Sequence, residues 1–257
     1  MLWLDEYERR ARLVPALLAL LPISVLIAAF GLNKLPAVSF PLSVVSLGGG
    51  PVVMADMVRQ FGRKAEAKLW SSWGGPPTTL ELKLQGPTTN SVRRDMWRKA
   101  VESVSGIPLL SLRRETTDPA RAAQTIEAAV GKIRDKTRDK QKFPLLSEEN
   151  KNYGYSRNLY GFRWVGCGIA AAALLAMVAY MYWLAHIAHR PVPKVPDLAS
   201  VIVSAVILVG WLIWPSKARV RSAGDRYAER LLQAATILED EGPAATAPGA
   251  SGQTPTP

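Results

Sequence analysis

The sequence predicts an α-helical membrane protein: four transmembrane helices in two hairpins, with a mainly α cytoplasmic domain between them. Three observations carry that prediction. First, 48% of the 257 residues are hydrophobic, yet they gather into a few long blocks with the charges lying between them. A soluble chain instead spreads its apolar residues through short periodic segments. Second, residues 165–188 (VGCGIAAAALLAMVAYMYWLAHIA) hold no Asp, Glu, Lys or Arg. A helix of that length, rising roughly 1.5 Å per residue, crosses a hydrocarbon core of roughly 30 Å. Third, the formal charge of +11 is segregated: residues 59–163 hold 21 Lys or Arg against 11 Asp or Glu, which is +10 of the total.

The elements follow in order. Residues 1–12 form a short charged N-terminus in which Asp5, Glu6 and Glu8 oppose Arg9, Arg10 and Arg12. Residues 13–32 carry no charge and read as the first span. A secretory signal is the competing reading. The run is longer than an ordinary signal core, and no small-x-small cleavage site follows it, which favours the span. Residues 33–36 make a tight turn with Lys34, and residues 37–58 are apolar again. A four-residue connection makes 13–58 a helical hairpin. Gly48, Gly49, Gly50 and Pro51 break the second run, and backbone groups freed there need partners. A hinge or pore-lining kink is the functional reading; a close helix contact is the plainer one.

Residues 59–163 are the length of one small domain. Trp70 to Thr79 is punctuated by Gly and Pro as a loop. Thr78 with Glu81 has capping-box spacing and predicts a helix start there, against a strand suggested by Leu80, Leu82 and Leu84. Asn90 or Ser91 caps a helix to about Ser105, stopped by Gly106 and Pro108. Asp118-Pro119 is a stronger start: an Asp cap with Pro in the first turn. Ala122, Ile126, Ala129, Val130 and Ile133 then share one face, and Phe143-Pro144 is expected to end the run. Ser147 is a further capping candidate. Tyr153, Tyr155, Tyr160 and Trp164 crowd the approach to the third span, where rings with polar tips suit the headgroup level.

The second hairpin covers residues 164–214, its helices separated by the proline-rich stretch at 191–196. Residues 215–241 read as a cytoplasmic amphipathic helix with Val220, Ala223, Tyr227, Leu231, Ala234 and Leu238 near heptad spacing. Residues 242–257 are rich in Ala, Pro, Gly, Ser and Thr and read as a disordered tail. Four spans put both termini and the middle domain on one side. The opposite turns hold only Lys34, Arg190 and Lys194, whereas Arg9, Arg10, Arg12, Arg59, Arg63, Lys64, Arg157, Arg163, Lys217 and Arg219 flank the spans on the domain's side. The positive-inside rule makes that side cytoplasmic, and the cell inner membrane is the expected location.

Trp73-Gly74-Gly75-Pro76-Pro77-Thr78-Thr79, then Phe143-Pro144-Leu145-Leu146, Glu149-Asn150, Tyr153-Gly154 and Arg157-Asn158-Leu159 resemble segments of uncharacterised bacterial multi-pass inner-membrane proteins. The resemblance covers the middle domain and its junction with the third span. It implies the four-span layout and carries no activity.

No catalytic motif is present. The middle domain has neither His nor Cys, which argues against nucleophilic or acid–base hydrolysis there. Arg93, Arg94 and Arg98 surround Trp97, and Arg113 with Arg114 follow. Guanidinium forks suit phosphates and an indole can stack a base, so a nucleotide or other anionic ligand is one reading. Attraction to anionic lipids, or a solvated face, is the plainer one. Asp56 is a polar candidate within the second run, with an interfacial pair to Arg59 as the plain alternative. His186, His189 and Asp197 have the chemistry of a weak metal site, against ordinary interfacial histidines. Gly166, Gly168 and the alanines at 170–173 form a small-residue surface for close helix contact, within the chain or between copies. No cofactor is expected. The sequence therefore points to a non-enzymatic sensing or effector module, in its most concrete form an oligomeric pore gated through the cytoplasmic domain. A scaffold binding a protein partner, or an enzyme acting on lipid or nucleotide through Asp56, Asp95 or Glu149, are the alternatives.

Overall fold

The computed structural model describes residues 6–30, 50–87, 90–187 and 195–242. Among these the chain forms helices joined by short connections, with no strand. The helices are α1 (Glu6–Ala29), α2 (Gly50–Trp73), α3 (Pro77–Leu82), α4 (Ser91–Ser105), α5 (Leu112–Thr117), α6 (Pro119–Lys136), α7 (Pro144–His186), α8 (Val195–Ile213) and α9 (Lys217–Glu241). Three of them, α1, α7 and α8, are long and apolar enough to cross a membrane. The predicted second span falls largely outside the described residues. Gly48 and Gly49 are among those not described, while Gly50 and Pro51 stand in the first described turn of α2.

The chain divides into two compact units. One comprises the segments 6–71 and 150–223, and the other the segments from Ser72 to Glu149 and from Gly224 onward. The basic segment begins at Arg59, but α2 runs on to Trp73; apolar character begins at 165, but α7 starts at Pro144. Helix continuity carries both helices past the hydropathy boundary, so the membrane unit includes their polar ends.

In the membrane unit, α7 is the central helix. α1 lies beside it in the same direction: Tyr7 meets Gly154, Ala11 meets Asn158, and the Phe30 ring packs 4.7 Å from Tyr180. α2 runs the other way, with Trp70 at Tyr153 and the Phe61 ring 5.6 Å from Phe162. Ala16, Ala19, Val58, Leu159, Phe162, Cys167 and Trp211 form its core. Gly166 admits the indole of Trp211 from α8, where an added Cβ would lie 2.3 Å from the ring. The small-residue surface is thus used within the chain at Gly166; Ala170 and Ala173 are buried and Gly168 is open.

α1 carries a local irregularity with a clear cause. Residues Arg9–Leu13 form a π-helical turn, in which the Val14 N–H reaches the Arg9 carbonyl. Pro15 follows, and a proline has no N–H to give the carbonyl four residues back. That carbonyl belongs to Ala11, and the Asn158 side chain donates to it at 2.8 Å.

The second unit is a helical domain with one core. Leu82, Trp97, Val101, Ile126, Val130, Ile133, Phe143 and Leu146 pack with Leu231, Leu232, Ala234 and Ala235 of α9. Each large apolar side chain so buried contributes about 2–3 kcal/mol of transfer free energy. The caps are local. Asn90 accepts from the Arg93 N–H at 3.0 Å, Gly106 closes α4 at φ 68°, and Asp118 accepts from the Arg121 N–H at 3.0 Å with Pro119 behind it. The Nζ groups of Lys132 and Lys136 donate to the Ser105 and Val104 carbonyls at 2.9 and 2.7 Å, neutralising the end of α4.

Three local expectations are corrected. Thr78 does not cap α3: Pro76 precedes it, Pro77 opens it, and Thr78 is buried at 2% exposure. The preset φ of proline replaces a side-chain cap. α6 ends at Lys136 with Thr137 as its cap residue, and Phe143-Pro144 begins α7 instead of ending α6. Ser147 therefore lies inside α7 and caps nothing.

Candidate functional site

A dense polar site lies where α1, α2 and α7 meet, below the apolar part of α7. Helical spacing assembles it. Glu66 and Trp70 are one turn apart on α2; Tyr153 and Arg157 are one turn apart on α7, with Asn158 beside them. Arg157 Nη1 donates to both Glu66 oxygens, at 3.0 and 2.9 Å. The Tyr153 hydroxyl donates to Glu66 Oε1 at 2.8 Å and accepts from Trp70 Nε1 at 3.1 Å. Side-chain exposure of the ion pair is only 14% and 12%. A charge-assisted pair so shielded is stronger than a surface pair, and each partner is costly to remove alone. Toward the N-terminus of α1, Lys151 pairs with Glu6 at 2.9 Å.

Glycines allow the helices to come this close. A Cβ at Gly62 would lie 1.9 Å from Asn158 Oδ1, one at Gly161 would lie 2.5 Å from the Phe61 carbonyl oxygen, and one at Gly154 would lie 2.5 Å from the Tyr7 hydroxyl. Gly154 and Gly161, seven residues apart, lie on the same face of α7, together with Asn158. The motif residues Tyr153, Gly154, Arg157, Asn158 and Leu159 thus mark a helix-crossing surface. Glu66, its acceptor, escaped sequence reasoning, although its i, i+4 spacing from Trp70 and the search for a partner to Arg157 point toward it.

The arrangement has no nucleophile. Glu66 is saturated by a guanidinium and a phenol, so it is not a poised base. These bonds fix α2 to α7 in one register.

The predicted basic cluster is placed in the helical domain, and most of it is consumed by the fold. Arg98 is 8% exposed; its guanidinium donates to the Leu82 and Leu110 carbonyls at 2.6 Å each and lies 3.6 Å from Glu115. Burial pulls the Arg98 pKa down, and Glu115 and Glu102 push it back up. Arg94 Nη1 donates to the Leu84 carbonyl at 3.0 Å. Arg93 pairs with Glu229 at 3.2 Å and lies over the Trp97 ring. Trp97 is 1% exposed, so it cannot stack a base; hydrophobic burial in the core claims the ring first. Arg113 and Arg114 remain exposed on α5.

The other predicted positions scatter. Asp56 is exposed and accepts from Gln60 Nε2 at 2.7 Å. His186 is exposed with its ring tilted against that of Tyr182, Asp197 is 4% exposed, and His189 lies outside the described residues. Among the described residues no group of three His, Cys, Asp or Glu is placed to hold a metal. Comparison of the chain with known protein families, characterised proteins and solved structures finds no match.

Proposed function

We propose that this chain is a non-enzymatic inner-membrane protein whose basic helical domain senses or docks an anionic or protein ligand and passes the outcome to its spans. The observation that carries this reading is the position of the Glu66–Tyr153–Arg157 clamp in the chain. The polypeptide passes between the two units at Ser71–Ser72, at Glu149–Asn150 and again, within α9, at Ala223–Gly224. The clamp joins α2 and α7 within one or two turns of the first two of these junctions. A rotation or pull imposed on either helix by the domain meets this bond network before it meets the apolar helix contacts.

Four crossings are part of the proposal, and two ring contacts support them. Phe30 stands at the level of Tyr180, and Phe61 at that of Phe162. Those two levels of α7 differ by eighteen residues, about 27 Å of helix. The chain from 30 to 61 therefore returns through nearly the depth of a hydrocarbon core. That leaves both termini and the basic domain on one side, which the flanking arginines and lysines assign to the cytoplasm. Exposed apolar residues of α7 and α8, such as Leu175 and Ile202, face lipid or further copies of the chain.

The effector form of the reading is tested by reconstituting the full-length protein into liposomes and measuring ion and dye flux. Flux that rises when the clamp is released by Glu66→Gln supports coupling of the clamp to the spans. Absence of flux from both wild type and E66Q, with both proteins correctly inserted, rejects it.

A further inference from the structure

We infer that the membrane unit holds one anionic phospholipid, with an acyl chain in a lateral cavity between α1, α7 and α8 and its phosphate on Arg163 and Arg219. The cavity has a volume of about 290 Å³ and is lined by Leu18, Leu159, Ile207, Gly210, Trp211 and Trp214 among others, with almost no polar surface. At about 30 Å³ per water-sized group, it takes roughly ten methylenes. It opens sideways: Val206 and Trp214 on its rim are 63% and 53% exposed. Its floor touches Tyr155 and its edge Pro215, so it sits at the boundary between the apolar helices and their polar ends.

Two arginines stand at that edge. The Arg219 guanidinium lies 3.9 Å over the ring of Trp214, and that of Arg163 lies 4.6 Å over Trp164 while donating weakly to the Pro215 carbonyl at 3.4 Å. Trp214 and Pro215 both line the cavity, which ties each charge to its mouth. Among the described residues neither arginine has a carboxylate partner. A guanidinium held over an indole face still has N–H groups to offer a phosphate.

The charge decides the occupant. A lipid tail gains nothing hydrophobic by leaving other tails for an apolar cavity, because both surroundings are equally apolar. Selection must come from the headgroup. A basic side chain near the surface strengthens binding of an anionic lipid about fivefold, so this pair gives at most about 25-fold over a zwitterionic lipid. This inference needs only that the helices lie in a bilayer, and it is independent of any response of the spans to the domain.

The test uses full-length protein in phosphatidylcholine nanodiscs containing a minor fraction of phosphatidylglycerol or phosphatidylcholine with brominated acyl chains. Bromine quenches tryptophan on contact. Trp211 is 4% exposed, so bulk lipid does not reach it; its emission is isolated by difference from Trp211→Phe. The brominated anionic lipid is expected to quench Trp211 several-fold more steeply than the zwitterionic one. Arg163→Gln with Arg219→Gln should bring the two within twofold. Gly210→Leu should abolish quenching by either lipid. A Cβ at Gly210 meets nothing within 4 Å, so the fold accepts the side chain while the cavity fills. Equal quenching of wild type by both lipids overturns the headgroup assignment, and no quenching by either overturns the acyl-chain assignment. Disulfide-trapped dimers through Val206→Cys in a Cys167→Ser background would give the cavity to a second copy and overturn both.

Discussion

Replacing Arg98 with Met should loosen the helical domain without touching any surface group. The guanidinium makes two 2.6 Å bonds to the Leu82 and Leu110 carbonyls and faces the Glu115 carboxylate at 3.6 Å. Glu115 is itself 6% exposed and also accepts the Leu84 N–H at 2.9 Å. Arg98 thus holds three chain segments, α3, α4 and the 106–111 connection, and neutralises the carboxylate between them. Met preserves much of the packing volume but strands a buried charge and leaves two carbonyls without their donor. Removing one member of such a pair costs about 3–5 kcal/mol. Hydrogen exchange on the full-length protein in micelles reads this directly. Amides of α4 and α6 should exchange roughly 100- to 4,000-fold faster in R98M. Arg98→Met combined with Glu115→Met should recover much of the loss, since the stranded charge goes too. Arg113→Gln and Arg114→Gln, both exposed, should leave exchange within twofold. If R98M exchanges like wild type, the guanidinium is not a structural pin and the reasoning from burial and bond geometry fails.

Other predictions concern the membrane unit. Gly161→Ala should destabilise it by about 1–3 kcal/mol, because the new methyl meets the Phe61 carbonyl, whereas Gly168→Ala, which meets nothing, should be neutral or stabilising by about 0.5–1 kcal/mol; denaturant titration in mixed micelles separates them. Asn158→Ala should cost about 1–3 kcal/mol by orphaning the Ala11 carbonyl. Pro15→Ala restores a backbone N–H at the position that serves that carbonyl, so the double variant should be less impaired than the sum of the singles in the same titration. A purely additive pair would break the proposed link between Pro15 and Asn158.

Some of this structure is legible in the chain and some is not, for physical reasons. Helix termini governed by local chemistry read correctly: the Asn90 and Asp118 caps and the Gly106 stop need only neighbours within four residues. The apolar helices α1, α7 and α8 read from hydropathy because a long, almost uncharged run has few other uses. Pro144 misled because proline fits both just after a helix and at the start of the next, and local sequence does not choose. The basic cluster misled for a different reason. An arginine on a polar helix face looks solvated until the tertiary fold brings carbonyls and a carboxylate to it, as it does for Arg98. Glu66 stayed hidden because its partners are 87 and 91 residues away in the chain. The motif on α7 stood out as unusual, but its meaning as a crossing face depended on knowing that α2 and α1 pack there.

Labelling of single cysteines by a membrane-impermeant maleimide, in a Cys167→Ser background, tests the four-crossing arrangement most directly. Cysteines placed at Lys34 and Lys194 should react on intact cells, after the outer envelope is opened to the reagent. Those placed at Thr116 and Asp240 should react only when the inner membrane is broken. Reaction of position 116 from the same side as position 34 would contradict the account, because the chain would then cross once between them fewer than proposed and its basic domain would face outward.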